Sequence, residues 1–133
     1  FRRVLFRSYE KTKTLMAEML RHGTTSLEIK SGYGLDLETE RKQLRVAARL
    51  KAENPDIAAT FLGAHAFPEG MPHEAYVDWL CEEAIPAIAA DGLAEFCDVF
   101  CDDGVFTAEQ SERILLAGKR YGMIPMESSQ SWR

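Results

Sequence analysis

The sequence predicts a parallel α/β fold. Three observations carry that prediction: helical and strand-like patterns alternate along the 133 residues, strand-like runs recur about every 27–39 residues with one helical segment between them, and the run from Ile57 to Gly63 is almost continuously apolar. Such recurrence is that of βαβ units with right-handed crossovers, and a strand lacking polar alternation is one covered on both faces. Barrels and open doubly wound sheets use the same unit, so the pattern alone leaves both open.

Taken in order, Tyr9 to His22 places Leu15, Met16, Met19 and Leu20 at helical spacing, and Gly23 stands where a left-handed cap stops a helix. Thr24 to Lys30 is a short strand closed by the turn-forming Ser31-Gly32-Tyr33-Gly34. Leu37 to Ala52 is an amphipathic helix with Leu44, Ala47 and Ala48 on its apolar side, ended by Asn54-Pro55-Asp56. Ile57 to Gly63 is the second strand. His73 to Ala90 is helical with Pro86 as an interior break, which predicts a kink or two short helices. Phe96 to Cys101 is the third strand, Thr107 and Gln110 form a capping box for a helix running to Tyr121, and Met123 to Met126 begins a fourth strand.

The composition, 46% hydrophobic and 28% charged, is that of a soluble globular protein long enough for one domain. A net charge of −5 gives no footprint for nucleic acid, and no apolar run approaches the ~20 residues that a membrane span needs. Neither partner is expected. Three cysteines, Cys81, Cys97 and Cys101, in a chain with no secretory leader point to a reducing, cytoplasmic setting. Cys97 and Cys101 have no CxxC spacing and no neighbouring histidine, so they read as buried inert thiols and not as a zinc site.

In either architecture the ligand site lies beyond the C-terminal ends of the strands. After the first strand, Gly32 and Gly34 let the backbone turn sharply. Tyr33 then either faces a ligand or packs on a neighbouring helix in a plain βα turn, and both readings stand. After the second strand comes His65 in Gly63-Ala64-His65-Ala66, an imidazole that could serve a substrate or a metal, or simply sit satisfied in the core. His65 alone of the three histidines stands at a strand tip; His22 ends a helix and His73 falls in a polar turn. Asp102-Asp103-Gly104, past the third strand, reads as a loop before a helix N-terminus, which favours negative charge. There is no glycine-rich phosphate loop and no GxSxG elbow.

The segments Glu28-Ile29-Lys30-Ser31-Gly32-Tyr33-Gly34-Leu35, Thr60-Phe61-Leu62-Gly63-Ala64-His65-Ala66 and Asp98-Val99-Phe100-Cys101, in this order and spacing, resemble imidazolonepropionase of the amidohydrolase superfamily, an enzyme of histidine degradation. The likeness runs from about His22 to Gly122, most of the chain and about a quarter of a full family member. It implies a partial parallel (β/α) barrel, about three to four βα units of an amidohydrolase-type TIM barrel, with a small β-rich domain elsewhere in the parent. It also implies hydrolysis of 4-imidazolone-5-propanoate to N-formimidoyl-L-glutamate, with zinc or iron as cofactor and a homodimeric parent. By the same resemblance Tyr33 and His65 contact the substrate.

Two of the family's metal histidines belong upstream and its aspartate ligand downstream, while another histidine belongs to a KIHADQ-like segment where this chain has Met126-Glu127-Ser128-Ser129-Gln130. No metal ligand is therefore assigned, no metal is expected on this segment, and it is expected to be inactive alone. Residues 1–8 are read as a non-native or disordered leader, 9–126 as the partial barrel and 127–133 as a non-native or disordered tail. The alternatives are a non-catalytic piece with exposed sheet edges, or a related amidohydrolase acting on another cyclic amide. If the barrel reading holds, Tyr33 and His65 converge at one end of the sheet, and the Ile57 strand lies inside it, flanked by the Thr24 and Phe96 strands.

Overall fold

The computed structural model describes residues 2–128, with side chains from Arg7 onward. Four strands, β1 (Leu27–Lys30), β2 (Ile57–Ala64), β3 (Phe96–Phe100) and β4 (Ile124–Ser128), alternate with α1 (Arg2–Arg21), α2 (Leu37–Glu53), α3 (His73–Trp79), α4 (Ile85–Asp91) and α5 (Ala108–Arg120). All pairings are parallel and the strands lie side by side in chain order. This is part of a β/α barrel. The Ile57 strand is interior, flanked by the first and third strands as expected, and β3 is interior as well. The fourth strand extends past Met126 to Ser128; from Ser129 onward the expected tail falls outside the described residues.

Local chemistry explains the helix ends. Asp36 caps α2 by accepting the Thr39 N–H at 2.8 Å, and both bonds of the Thr107–Gln110 capping box are present at α5. The first helix begins at Arg2, earlier than the expected Tyr9. It docks on α2 through Tyr9, which is buried, hydrogen-bonds Glu53 and lies under the Arg49 guanidinium at 3.9 Å from the ring centroid. Around Pro86 the expected two short helices are found, α3 and α4, each of seven residues. A π-helical segment, Leu80–Ala84, joins α3 to α4, with the Ile85 N–H reaching back to the Leu80 carbonyl. The wider turn carries the helix up to a residue that cannot donate an N–H.

The sheet has two chemically different faces. Phe61, Cys97 and Val99 point to the helices and pack in one core with Tyr76, Val77, Leu80, Ile85, Ile88 and Ile114, while Ile57 joins Val46, Leu50 and Tyr9 in a second cluster. Glu28, Lys30, Thr60 and Asp98 occupy the opposite face, the interior of a closed barrel. Apolar side chains stand exposed on the outer elements: Leu15 and Leu20 on α1, Leu116 on α5 and Ile124 on β4. No helix among the described residues is long and apolar enough to cross a membrane.

The three cysteines are free; Cys97 is buried, whereas Cys101, expected to be buried with it, is only half so, like Cys81. Burial pushes the Cys97 thiol up to about 12, with the negative charge of Asp98 acting the same way. In the folded chain a thiol reagent at about pH 8 should label Cys81 and Cys101 and spare Cys97, as peptide mapping would read. Labelling of Cys97 at the rate of the unfolded chain would contradict this packing. Because the folded value lies above the ordinary 9.0, the stability gained by keeping this thiol neutral is full below about pH 9. It is lost as pH rises towards about 12.

Candidate active site at the strand tips

Parallel strands send their C-terminal ends to one side, so the loops after β1, β2 and β3 meet there. The β1 loop is sewn to β2 at its first residue: the Ser31 N–H donates to the Thr60 carbonyl at 3.0 Å, and its buried hydroxyl accepts the Leu62 N–H at 3.2 Å. Gly32 follows at φ +130°, where a Cβ would lie 2.6 Å from the Leu62 carbonyl oxygen and 3.2 Å from Cβ of His65. A side chain there would hold the two tips apart. From behind, Gln43 Oε1 accepts the Gly32 N–H at 3.2 Å and Glu40 Oε1 accepts the Gly34 N–H at 2.7 Å. Tyr33 is left at the apex, 78% exposed.

An irregularity in β2 aims His65. Phe61 pairs with Cys97 and Ala64 with Val99, so three steps on β2 match two on β3. The extra residue re-phases the alternation of side chains. Phe61 and Ala64 therefore both join the helix-side core, and His65 falls to the other face, where it meets the rings of Tyr33 and Phe100. The Tyr33 and His65 centroids are 4.5 Å apart with the rings tilted by 43°. Phe100, from the end of β3, stacks on His65 at 5.6 Å and 18°. The Nδ1 of His65 is buried without a hydrogen-bond partner, so the flanking rings orient the imidazole where a hydrogen bond at Nδ1 does not.

Below the tips, a hydroxyl and an ion pair stiffen the strands. The buried Tyr76 hydroxyl donates to the Gly63 carbonyl at 2.9 Å, and burial, with Glu40 and Asp36 nearby, raises its phenol well above the ordinary value. On the barrel-interior face the Lys30 ammonium donates to Asp98 Oδ2 at 2.7 Å, across the intervening β2, and the Asp98 side chain is wholly buried. Ser128 also donates to Asp98, and Thr60 to Glu28. Burial works against the Lys30 charge, but Asp98 and Glu28 outweigh it and leave its pKa raised.

Of the residues singled out by sequence, Tyr33 and His65 are thus brought together. The others lie apart: His22 is exposed at the opposite end of the sheet, before β1, and His73 opens α3 stacked on Phe67 at 3.7 Å. Asp102 accepts the Asp103 N–H within the turn before α5. Phe100, Glu40, Gln43 and Tyr76 escape sequence reading. Phe100 could have been found by its place at a strand end, whereas a glutamate in an amphipathic helix gives no sign that it is buried. Among the described residues, no three His, Cys, Asp or Glu side chains gather as a metal would require.

No family model matches the chain. Its relatives are nevertheless consistent. It is 52% identical over 108 residues to the imidazolonepropionase of Haloarcula marismortui, which covers 80% of this chain and 26% of that protein. It is 50% identical over 118 residues to that of Clostridium tetani, covering 86% and 28%, and 51% identical over 120 residues to that of Geobacillus kaustophilus, covering 88% and 28%. The chain spans about a quarter of the length of the curated relatives it matches. At about half identity over most of its residues, with the paired strand-tip motifs in place, it belongs to the imidazolonepropionase family as a segment of that length.

Proposed function

We propose that this segment supplies one wall of the substrate site of an imidazolonepropionase, which opens 4-imidazolone-5-propanoate to N-formimidoyl-L-glutamate, and that Tyr33 and His65 contact the substrate. The observation that carries the reading is their convergence at 4.5 Å, with Tyr33 exposed at the apex of a tightly held loop. Hydrolysis adds water across the ring C–N bond: the carbonyl carbon becomes a carboxylate and the nitrogen stays with the formimidoyl group. A planar ring with a carboxylate tail has to be oriented before water can attack. The Tyr33 hydroxyl is a donor for an anionic oxygen, and the edge of the His65 imidazole is a partner for a ring amide. The relatives' shared name favours an imidazolone over another cyclic amide.

The zinc or iron expected of the full enzyme is assigned, on the family likeness, to residues outside this segment; among the described residues no three His, Cys, Asp or Glu side chains gather. The setting that fits is a cytoplasmic, homodimeric enzyme with a small-molecule substrate and no membrane or nucleic-acid partner. In a full-length imidazolonepropionase carrying this segment, Tyr33→Phe is expected to lower kcat/KM about 10-fold and His65→Ala about 100-fold, with metal content unchanged. Parental kcat/KM in both would sink the assignment, and loss of metal from His65→Ala would make that residue a ligand instead.

A further inference from the structure

Resting on the role of Tyr33 as a substrate contact, we infer that Glu40 and Gln43 act as positioning residues: a clamp from α2 that fixes where the Tyr33 loop stands and thereby sets the affinity for substrate. The loop has few other anchors. Ser31 ties its first residue to β2, but the next two described backbone bonds, at Gly32 and Gly34, end on the side chains of Gln43 and Glu40 and bracket Tyr33 between them. Glu40 is fully buried, an unusual place for a glutamate in the first turn of a helix whose Glu38 stays in solvent. Only one of its carboxyl oxygens is used; Oε2 is buried and unpartnered.

Such a group carries a cost, an oxygen buried without a partner, and the one described bond it makes with its other oxygen goes to the Gly34 N–H of the Tyr33 loop. Packing is also close enough for small changes to be felt, because a Cβ at Gly34 would lie 2.8 Å from both the Glu40 nitrogen and its Oε1. The position of Oε1 therefore reads out directly as the position of the loop. The same buried region holds Tyr76, whose hydroxyl fixes the Gly63 carbonyl two residues before His65. Both tips of the site are thus held from the helix layer, the Tyr33 loop by side-chain acceptors and the His65 tip by a side-chain donor.

The test uses a full-length imidazolonepropionase carrying this segment, with 4-imidazolone-5-propanoate as the probe. Glu40→Met, of similar size but with no acceptor, is expected to raise KM about 10-fold with kcat reduced less than about 3-fold. Glu40→Gln, which keeps an acceptor for the Gly34 N–H, should stay within about 3-fold of the parent in both. Gln43→Met should raise KM about 3-fold. It decides the matter if Glu40→Met does not accumulate as folded protein. In a Tyr33→Phe background the clamp variants should add little, since they act through the hydroxyl already removed.

Parental KM in Gln43→Met and in a folded Glu40→Met, or equal losses in Glu40→Gln and Glu40→Met, would overturn the clamp. So would full additivity with Tyr33→Phe. If Tyr33→Phe itself were parental, the role of Tyr33 would fall and take the clamp with it, whereas an impaired Tyr33→Phe beside parental clamp variants would remove the clamp alone.

Discussion

Gly32→Ala is expected to cost about 3 kcal/mol of stability and at least 100-fold in kcat/KM of a full-length enzyme carrying this segment. Two penalties coincide. A backbone at φ +130° is one that alanine adopts only under strain, of order 1–3 kcal/mol. The new Cβ would also sit 2.6 Å from the Leu62 carbonyl oxygen, a backbone atom inside a paired strand that has no freedom to retreat. The loop must then move away from β2, and the Tyr33–His65 contact opens with it. A displacement of about 1 Å at a substrate-orienting group suffices for a loss of this size. Urea unfolding and steady-state kinetics read the two parts, and a variant with parental stability and kcat/KM would show that the tips do not need this approach.

Lys30→Met carries the second large effect. It leaves the wholly buried Asp98 carboxylate without its cation, retaining only the Ser128 hydroxyl and its own neighbour's N–H. Removing one partner of a buried pair costs about 3–5 kcal/mol; because the Lys30 side chain is 31% exposed, about 3 kcal/mol is expected. The double variant Lys30→Met/Asp98→Leu should lose less than the single one, since no orphaned charge is left inside. With the Lys30 pKa raised in the fold above its ordinary 10.5, its contribution is full below that value and is lost as pH rises through the folded value. The gap between parent and variant should accordingly hold constant from about pH 6 to 9. A gap under about 1 kcal/mol in urea unfolding would mean that water reaches Asp98.

The strand order and the glycine-bounded tips were legible because they follow from local signals. The apolar run of Ile57 to Gly63 marks an interior strand, and Thr107 with Gln110 writes the start of α5 into four residues. Tyr33 and His65 came from the rule that sites gather at strand ends, sharpened by a family likeness. What was hidden depends on distance or on phase. The extra residue of β2 lies among small side chains, where Gly63 and Ala64 give no sign of which face each takes. Lys30 and Asp98 are 68 residues apart, and a lysine next to a turn otherwise reads as solvated. Pro86 marked the division into two short helices, but not its form, a widened π turn that joins them just before the proline. Burial of Glu40 is invisible because its helix spacing suits solvent equally well.

Chain order and strand order coincide, and this bears on how the segment acquires its fold. The pairings Leu27 with Ile57, Thr60 with Phe96 and Phe96 with Ile124 close loops of 30, 36 and 28 residues, each spanned by its own helical crossover. No strand has to wait for a distant partner or be threaded between two others. Each βα unit can dock on the last as it leaves the ribosome, and loop closure, the slow step for parallel sheets, is met in short instalments. The bonds of Lys30 to Asp98 and Ser128 are long-range exceptions; for the first, β2 has to be seated before it can form. It is therefore a late contact, one whose loss should quicken unfolding and leave the rate of folding nearly unchanged.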